Sequence, residues 1–174
     1  ASQRPAAEPA AARPFVLYVS TLEVRKNHRL LFQVWRRLIE KHGPERIPDL
    51  VFVGRRGWLI DDFVTELEQS RFLDGKIVWK RGVDDAELAR LYASCLFTVY
   101  PSLYEGWGLP VAEGMAFGRW CVASDTSSLP EVGGNLAGYF DPFDVPGATA
   151  AIERPILDSA YRAEKTLAVR ERFA

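Results

Sequence analysis

The sequence is poor in cysteine, and no apolar run approaches the length of a membrane span. Its two cysteines, Cys95 and Cys121, do not form a C-x-x-C pair, and both lie in apolar stretches. We therefore expect two buried, reduced thiols and no disulfide. A membrane-spanning helix needs roughly 20 consecutive apolar residues, so no transmembrane segment is expected. No apolar targeting segment precedes the first predicted strand, which predicts a cytoplasmic protein.

Neither sign of charge dominates, and no metal-ligand pattern is present. The chain has 22 Lys and Arg residues against 23 Asp and Glu residues, for a net charge of −1. This balance argues against a nucleic-acid partner. Acidic pairs occur at 61–62 and 84–85, without the D-x-D spacing that binds a metal for nucleotide-sugar transfer. His28 and His42 lack cysteine or carboxylate partners at ligand spacing, so we predict no metal site.

Length and composition are those of one compact domain. The 174 residues are 48% hydrophobic and 12% aromatic, which is enough apolar material for one sizeable core. Residues 1–13 are rich in alanine and proline without apolar periodicity. They predict a disordered leader or the remnant of an interdomain linker. The predicted folded domain covers residues 14–174.

Short apolar runs alternate with amphipathic stretches along this domain. Runs typical of buried parallel strands occur at 15–19, 50–53, 76–79, 96–99 and 120–123, and a sixth short strand is expected at 138–140. Helical patterns occur at 28–41, 60–68, 85–93, 109–117, 146–157 and 159–173. The alternation predicts an α/β fold, a Rossmann-like, doubly wound parallel sheet.

Three basic pairs lie at or just beyond the ends of predicted strands: Arg25-Lys26, Arg55-Arg56 and Lys80-Arg81. In an open parallel sheet all strands end at the same edge, and ligands bind there. These pairs, together with the turn between Glu105 and Glu113, could therefore converge on one cleft and select an anionic ligand. The competing interpretation of each pair is a solvated surface charge.

The most informative stretch runs from Glu105 to Glu113, two carboxylates on either side of a glycine-rich turn. Gly106 and Gly108 allow a tight turn whose N–H groups can bind an anion, and the following helix adds the positive end of its dipole. Glu113 falls one turn into that helix, where it could accept hydrogen bonds from the hydroxyls of a sugar. The arrangement suits a nucleotide diphosphate.

The segment Ser102–Ala116 resembles the E-x7-E signature of the group 1 family of retaining glycosyltransferases, and segments 21–28 and 122–132 are also similar to that family, especially to its mannosyltransferase-like members. The resemblance covers about residues 14–172. It implies that the chain is one half of a GT-B architecture, the C-terminal domain that binds the donor. The N-terminal domain that binds the acceptor is then missing from this sequence.

The resemblance also implies roles for individual residues. Arg25 and Lys26 would bind the donor diphosphate and stabilise the departing charge, in place of a metal. Glu105 would contact the donor sugar, and Glu113 would bind the ribose hydroxyls. Backbone groups of the turn, Gly106, Trp107, Gly108 and Leu109, would face the phosphates or sugar, and Val83 would face the nucleobase. His28 is a further candidate near the diphosphate. Ser127 and Ser128 are candidates for a contact with a phosphate or nucleobase, or for a helix N-cap.

The function implied is transfer of a hexose, with mannose as the first choice, for polysaccharide biosynthesis. The donor is expected to be GDP-mannose or a UDP-hexose, and the acceptor a glycan or a lipid-linked sugar, with no separate cofactor. The whole enzyme is expected in the cytoplasm or peripherally at the inner membrane face, and the isolated domain is expected to be inactive. Two alternatives remain, a non-catalytic module that binds nucleotide sugars and a nucleotide-sugar epimerase of the same architecture.

Overall fold

The computed structural model describes residues 13–173, so the prediction for the leader falls, apart from Arg13, outside the described residues. The six strands are β1 (Phe15–Val19), β2 (Asp49–Val53), β3 (Ile77–Lys80), β4 (Thr98–Tyr100), β5 (Cys121–Ser124) and β6 (Ala137–Phe140). They form one sheet in the order β3-β2-β1-β4-β5-β6, and every pairing is parallel. The sheet order reverses between β1 and β4.

Helices connect the strands and continue beyond β6. They are α1 (His28–His42), α2 (Asp61–Gln69), α3 (Arg71–Gly75), α4 (Asp85–Ser94), α5 (Leu109–Ala116), α6 (Leu129–Gly133), α7 (Val145–Leu157) and α8 (Ser159–Phe173). Short 3-10 turns occur at Val24–Lys26, Pro44–Arg46 and Gly134–Leu136. The predicted Rossmann-like α/β fold is confirmed. Within residues 13–173, no helix combines the length and apolar character needed to cross a membrane.

Successive side chains of β1 point alternately into the two layers of the core. Val16 and Tyr18 are fully buried in the larger cluster, which contains the apolar faces of α1 and α2. Phe15 and Leu17 point to the smaller cluster, which contains Tyr92 of α4. Because successive side chains of a strand point to opposite faces, β1 is apolar throughout and is covered by helices on both sides.

Most predicted elements agree with the structure to within one residue, one strand is displaced, and the short helices α3 and α6 are not among the predicted helical patterns. The strand predicted at 96–99 begins at Thr98, although the Leu96 N–H still donates to the Phe15 carbonyl at 2.8 Å. The turn α3 was not predicted. Its residues 71–74 all have φ between 51° and 56°, a left-handed conformation that non-glycine residues rarely adopt.

Both cysteines are free thiols in the core, as the sequence predicts. Burial raises the pKa of Cys95 and of Cys121 to about 12, so neither side chain is a thiolate near neutral pH. We expect no reaction of the native chain with a chromogenic thiol reagent at pH 8 and reaction of both thiols after unfolding in guanidinium. A native thiol that reacts within minutes would contradict this burial.

Candidate functional site

The candidate site lies at the carboxyl ends of β1 and β4, where the sheet order reverses. The connection after β1 contains Arg25 and Lys26, and the connection after β4 contains Glu105. Hydrogen bonds join the two connections. The Leu103 N–H donates to the Arg25 carbonyl at 2.9 Å, and Asn27 Nδ2 donates to the Pro101 carbonyl at 3.0 Å. Crevices at such a reversal are where open α/β sheets bind ligands.

The carboxylate of Glu105 is the centre of this site and is only 8% exposed. Its Oε1 accepts from Lys26 Nζ at 2.5 Å and from Ser102 Oγ at 2.7 Å. Its Oε2 lies 3.8 Å from Arg25 Nη1 and makes no hydrogen bond within residues 13–173. The structure therefore brings together Glu105, Arg25 and Lys26, and Glu105 Oε2 can still accept a hydrogen bond from a ligand.

Two serines fix the backbone of Glu105. Ser127 Oγ accepts from the Glu105 N–H at 2.8 Å, and Ser128 Oγ donates to the Glu105 carbonyl at 3.0 Å. Ser128 occupies the N-cap position of α6, but its hydroxyl makes no cap hydrogen bond. A side-chain N-cap is therefore absent at Ser128, and a contact of these serines with a phosphate or nucleobase stays a prediction. The serines instead hold the residue that precedes the glycine-rich turn.

The glycine-rich turn itself is open. Trp107 is 81% exposed and Leu109 is 65% exposed. Gly108 has φ of 64°, a left-handed conformation that suits glycine, and precedes the first turn of α5. The backbone N–H groups of Gly106, Trp107 and Gly108 make no hydrogen bond within the described chain. These groups, together with the N-terminus of α5, are available to an anion.

Glu113 is exposed on α5, and a tyrosine orients it. Tyr92 OH donates to Glu113 Oε2 at 3.3 Å. Burial raises the pKa of Tyr92, so its hydroxyl keeps its proton and remains a donor. One oxygen of Glu113 is therefore held by the protein, and the other faces solvent without a hydrogen bond to residues 13–173.

Three of the four residues in the other basic pairs contact groups away from Glu105, and Arg55 is exposed. Arg56 pairs with Asp61 at the start of α2, and Lys80 Nζ pairs with Glu87 of α4 at 2.7 Å. Arg81 stacks over the Trp79 ring with its guanidinium carbon 3.7 Å from the ring centroid. Of the three pairs, the structure brings only Arg25-Lys26 into contact with Glu105.

Val83 lies after β3, next to the start of α4. It is partly buried and packs against the smaller core cluster. The following residue, Asp84, caps α4 because its Oδ1 accepts from the Glu87 N–H at 2.7 Å. Val83 is thus at the carboxyl edge of the sheet, where the nucleobase contact is predicted.

His28 lies inside the core. It is 3% exposed, with ring centroids 4.5 Å from Tyr18 and 4.9 Å from Phe52. Burial, reinforced by the charge of Lys26, lowers its pKa to about 3. A neutral, buried imidazole supplies no positive charge to a diphosphate, so the sequence-based suggestion for His28 has no support in this geometry.

Three supporting residues were not predicted from the sequence. Tyr18 OH donates to the Lys26 carbonyl at 2.7 Å, and Ser102 bonds to Glu105. Glu23 Oε1 lies 2.6 Å from Arg25 Nε. The acidic neighbour of a basic pair was a visible signal for Glu23. Ser102 is a local contact, three positions before Glu105 and inside the segment singled out from the sequence. The contact of Tyr18 with Lys26 depends on packing and had no such signal.

The comparisons with known proteins agree with this geometry. The family model described as glycosyl transferases group 1 matches residues 2–169. The chain belongs to this family. It is 39% identical over 148 residues to O-antigen chain mannosyltransferase B of Escherichia coli, covering 85% of this chain and 38% of that protein. It is 47% identical over 81 residues to MMP alpha-(1->4)-mannosyltransferase of Mycolicibacterium hassiacum, covering 45% of this chain and 20% of that protein.

Solved structures share the fold. Sucrose-phosphate synthase from Thermosynechococcus elongatus matches with a TM-score of 0.77 and 25% identity, over 94% of this chain and 41% of that one. The E. coli trehalose-6-phosphate structure with bound UDP-2-fluoro glucose matches with a TM-score of 0.78 and 16% identity, over 93% of this chain and 40% of that one. This group 1 chain thus spans about two fifths of the length of these solved proteins.

Proposed function

We propose that this chain is the donor-binding domain of a retaining, metal-independent glycosyltransferase. The whole enzyme would move a hexose from a nucleotide diphosphate sugar to a glycan or a lipid-linked acceptor. The observation that carries the proposal is the Glu105 carboxylate held by Lys26 and Ser102 beside the open turn 106–108. The family membership supports the reaction class.

Arg25 and Lys26 are the groups proposed to bind the diphosphate. The Arg25 side chain is 43% exposed, and its Nη1 donates to the Tyr104 carbonyl at 3.3 Å, which keeps the guanidinium beside the turn. The Lys26 ammonium has further donor capacity beyond its bond to Glu105. Two cations and free backbone N–H groups can stabilise the negative charge that develops as the diphosphate leaves.

The two carboxylates are proposed to bind the sugar rings of the donor. Glu105 Oε2 is open to a hydroxyl of the transferred sugar, while Oε1 is fixed by two donors. Glu113 has one oxygen free for the ribose hydroxyls. Carboxylate oxygens held in place in this way orient the nucleotide sugar by accepting its hydrogen bonds, and they are not consumed in the reaction. Retention of configuration, with departure and attack on the same face, rests on the family resemblance.

The side chains of Arg25 and Lys26 are also the reason why the enzyme is proposed to need no metal. Within residues 13–173, no group of three or more histidine, cysteine, aspartate or glutamate side chains could hold a metal ion. Arg25 and Lys26 would instead neutralise the charge of the diphosphate. Mannose is the favoured sugar because two relatives in the comparison are named mannosyltransferases. The acceptor would bind chiefly to a second, N-terminal domain.

Calorimetric titration with GDP, UDP and ADP, without added metal, tests donor binding. We expect one diphosphate to bind. We expect the Glu113→Ala variant to raise its Kd about 10-fold to 100-fold, since a hydrogen bond to a charged group contributes about 1.5–3 kcal/mol. We expect the same Kd when the titration is repeated in the presence of EDTA.

The matched control is Glu131→Ala, which removes an equally exposed glutamate from α6. Its Kd should remain within about twofold of the unchanged chain, because no hydrogen bond or ion pair within residues 13–173 joins Glu131 to the proposed donor-binding residues. Equal weakening by both substitutions would point to a general charge effect and against ribose recognition by Glu113. Failure of all three nucleotides to bind would argue against the proposed donor site.

A further inference from the structure

A cavity of about 460 Å³ lies beside the candidate site, and of the residues that the sequence singles out for the site only His28 lines it. Its volume is in the range of about 300–1,000 Å³ that is typical of small-molecule sites. The lining comes from the connection after β1, the loop between β2 and α2, the starts of α1 and α2, and the connection after β4. It includes Glu23, His28, Arg29, Leu59, Asp61 and Asp62. The cavity thus shares its walls with the two connections that hold Arg25 and Glu105.

Glu23 links this cavity to the proposed donor site. Its carboxylate is 9% exposed. Oε1 lies 2.6 Å from Arg25 Nε, and Oε2 accepts from Trp58 Nε1 at 2.8 Å. The same carboxylate therefore forms an ion pair with the guanidinium on one side and a hydrogen bond with the loop that leads into α2 on the other. A ligand in the cavity would be next to the arginine proposed to bind the diphosphate.

The loop between β2 and α2 is fixed against the connection after β1. The Gly57 N–H donates to the Leu22 carbonyl at 2.7 Å, and the Leu22 N–H donates to the Arg55 carbonyl at 2.9 Å. A side chain at Gly57 would place Cβ 2.6 Å from the Leu22 carbonyl oxygen, so the close approach requires glycine. The wall of the cavity is therefore held in place by backbone contacts.

This fixed loop presents apolar side chains to solvent. Trp58 is 60% exposed, and Leu59 is 72% exposed with φ of 56°. A left-handed leucine is strained, and its side chain gains no burial in the core. Strained residues held by their surroundings are concentrated at binding sites. An aromatic and an aliphatic surface at the rim of a cavity can pack against the C–H face of a sugar ring.

The charges of the cavity favour a neutral ligand that is rich in hydroxyl groups. Glu23, Asp61 and Asp62 supply carboxylates, which accept hydrogen bonds from hydroxyls. The one lining cation, Arg29, pairs with Glu66 at 3.1 Å. Glu23 and Asp61 are themselves paired with Arg25 and Arg56, so Asp62 is the lining carboxylate without an ion pair in residues 13–173. No lining cation is left unpaired in those residues, so the cavity does not favour a phosphate. Apolar walls combined with hydrogen-bond acceptors suit a pyranose.

We propose that this cavity binds the non-reducing end of the acceptor glycan. The inference rests on the proposed function, since an acceptor is needed only if the chain serves a glycosyltransferase. Part of acceptor recognition then belongs to the donor-binding domain, through Leu59 in the cavity lining and the exposed Trp58 next to it in the loop. Glu23 is a positioning residue between the two sites, because it contacts Arg25 and Trp58 simultaneously.

The test is an NMR titration of the 15N-labelled chain with α-mannobiose at millimolar concentration, with maltose in a parallel series. The Leu59→Asn variant removes the apolar side chain and keeps a residue that tolerates the left-handed conformation. We expect amide shifts at residues 58–63, and a Kd raised about tenfold or more in Leu59→Asn, since burial of a leucine side chain contributes about a factor of ten or more. Leu167→Ala is the control, because Leu167 is 56% exposed on the distant helix α8.

Nucleotide titrations on the same samples separate this inference from the proposed function. Nucleotide binding without sugar-dependent shifts at residues 58–63 would overturn the acceptor cavity and leave the donor site standing. Sugar binding that is equally strong in Leu59→Asn would also overturn it. Sugar binding in the cavity of a chain that binds no nucleotide would support the cavity and contradict the donor site. A preference for α-mannobiose over maltose would further identify the acceptor class.

Discussion

Lys26→Met is expected to lower the free energy of unfolding by about 3–5 kcal/mol, because it leaves the Glu105 carboxylate buried without its cation. The side chains of Lys26 and Glu105 are 11% and 9% exposed, and their charged atoms are 2.5 Å apart. Ser102 and the more distant Arg25 cannot replace a full charge at this distance. Urea denaturation of the chain with and without the substitution measures the loss.

A double-mutant cycle separates the ion pair from other losses. Lys26→Met combined with Glu105→Gln removes both charges and keeps an amide oxygen that can accept from Ser102. We expect the double variant to be more stable than Lys26→Met alone, because no unpaired charge remains buried. Strictly additive losses of stability would show that the two side chains are not energetically coupled. They would contradict the expectation that Lys26 stabilises the buried Glu105 carboxylate.

Lys80→Met provides the matched control for the same pair of residue types. Lys80 Nζ lies 2.7 Å from Glu87 Oε1, but these side chains are 38% and 36% exposed. An exposed pair of this kind contributes about 0–1 kcal/mol. The comparison holds the chemistry and distance nearly constant and changes the burial. If both lysine substitutions cost the same, burial of the Lys26–Glu105 pair would not be the cause.

The arrangement of Lys26 and Glu105 also shows how far the sequence could predict the site. Apolar runs located the strands, and parallel strands end at one edge, so the residues after β1 and β4 were expected to be neighbours. The structure brings Arg25 and Lys26 to Glu105 as that argument requires. The same argument could not exclude Lys80, because the end of a strand does not determine where a long side chain points. Lys80 instead pairs with Glu87.

Local sequence patterns could not predict contacts between segments that are distant in the sequence. Ser127 and Ser128 hold Glu105 across 22 and 23 positions of sequence, because the connection after β5 packs on the connection after β4. A serine before a helix predicts an N-cap, and only tertiary packing reassigns its hydroxyl. The left-handed turn 71–74 was missed for a related reason, since its four residues have no glycine among them to indicate that conformation.

His28 gives the second large effect, a loss of stability at acidic pH. Its pKa is lowered to about 3 in the folded chain, whereas an unfolded histidine titrates near about 6.5. Between these values the unfolded chain binds a proton that the folded chain excludes, so stability falls as the pH decreases from about 6.5. The expected loss is about 1.4 kcal/mol per pH unit, or about 2 kcal/mol at pH 5 and about 4 kcal/mol near pH 3.5.

The His28→Phe variant tests the origin of this loss. It places an apolar ring of similar shape between Tyr18 and Phe52, where the imidazole makes no hydrogen bond within residues 13–173. Because a phenyl ring cannot be protonated, the variant should lose about 2 kcal/mol less than the unchanged chain between pH 7 and pH 5. Urea denaturation at both pH values measures the difference. Equal losses in the two chains would show that other groups cause the acid sensitivity, and that the buried histidine is protonated without disrupting the fold.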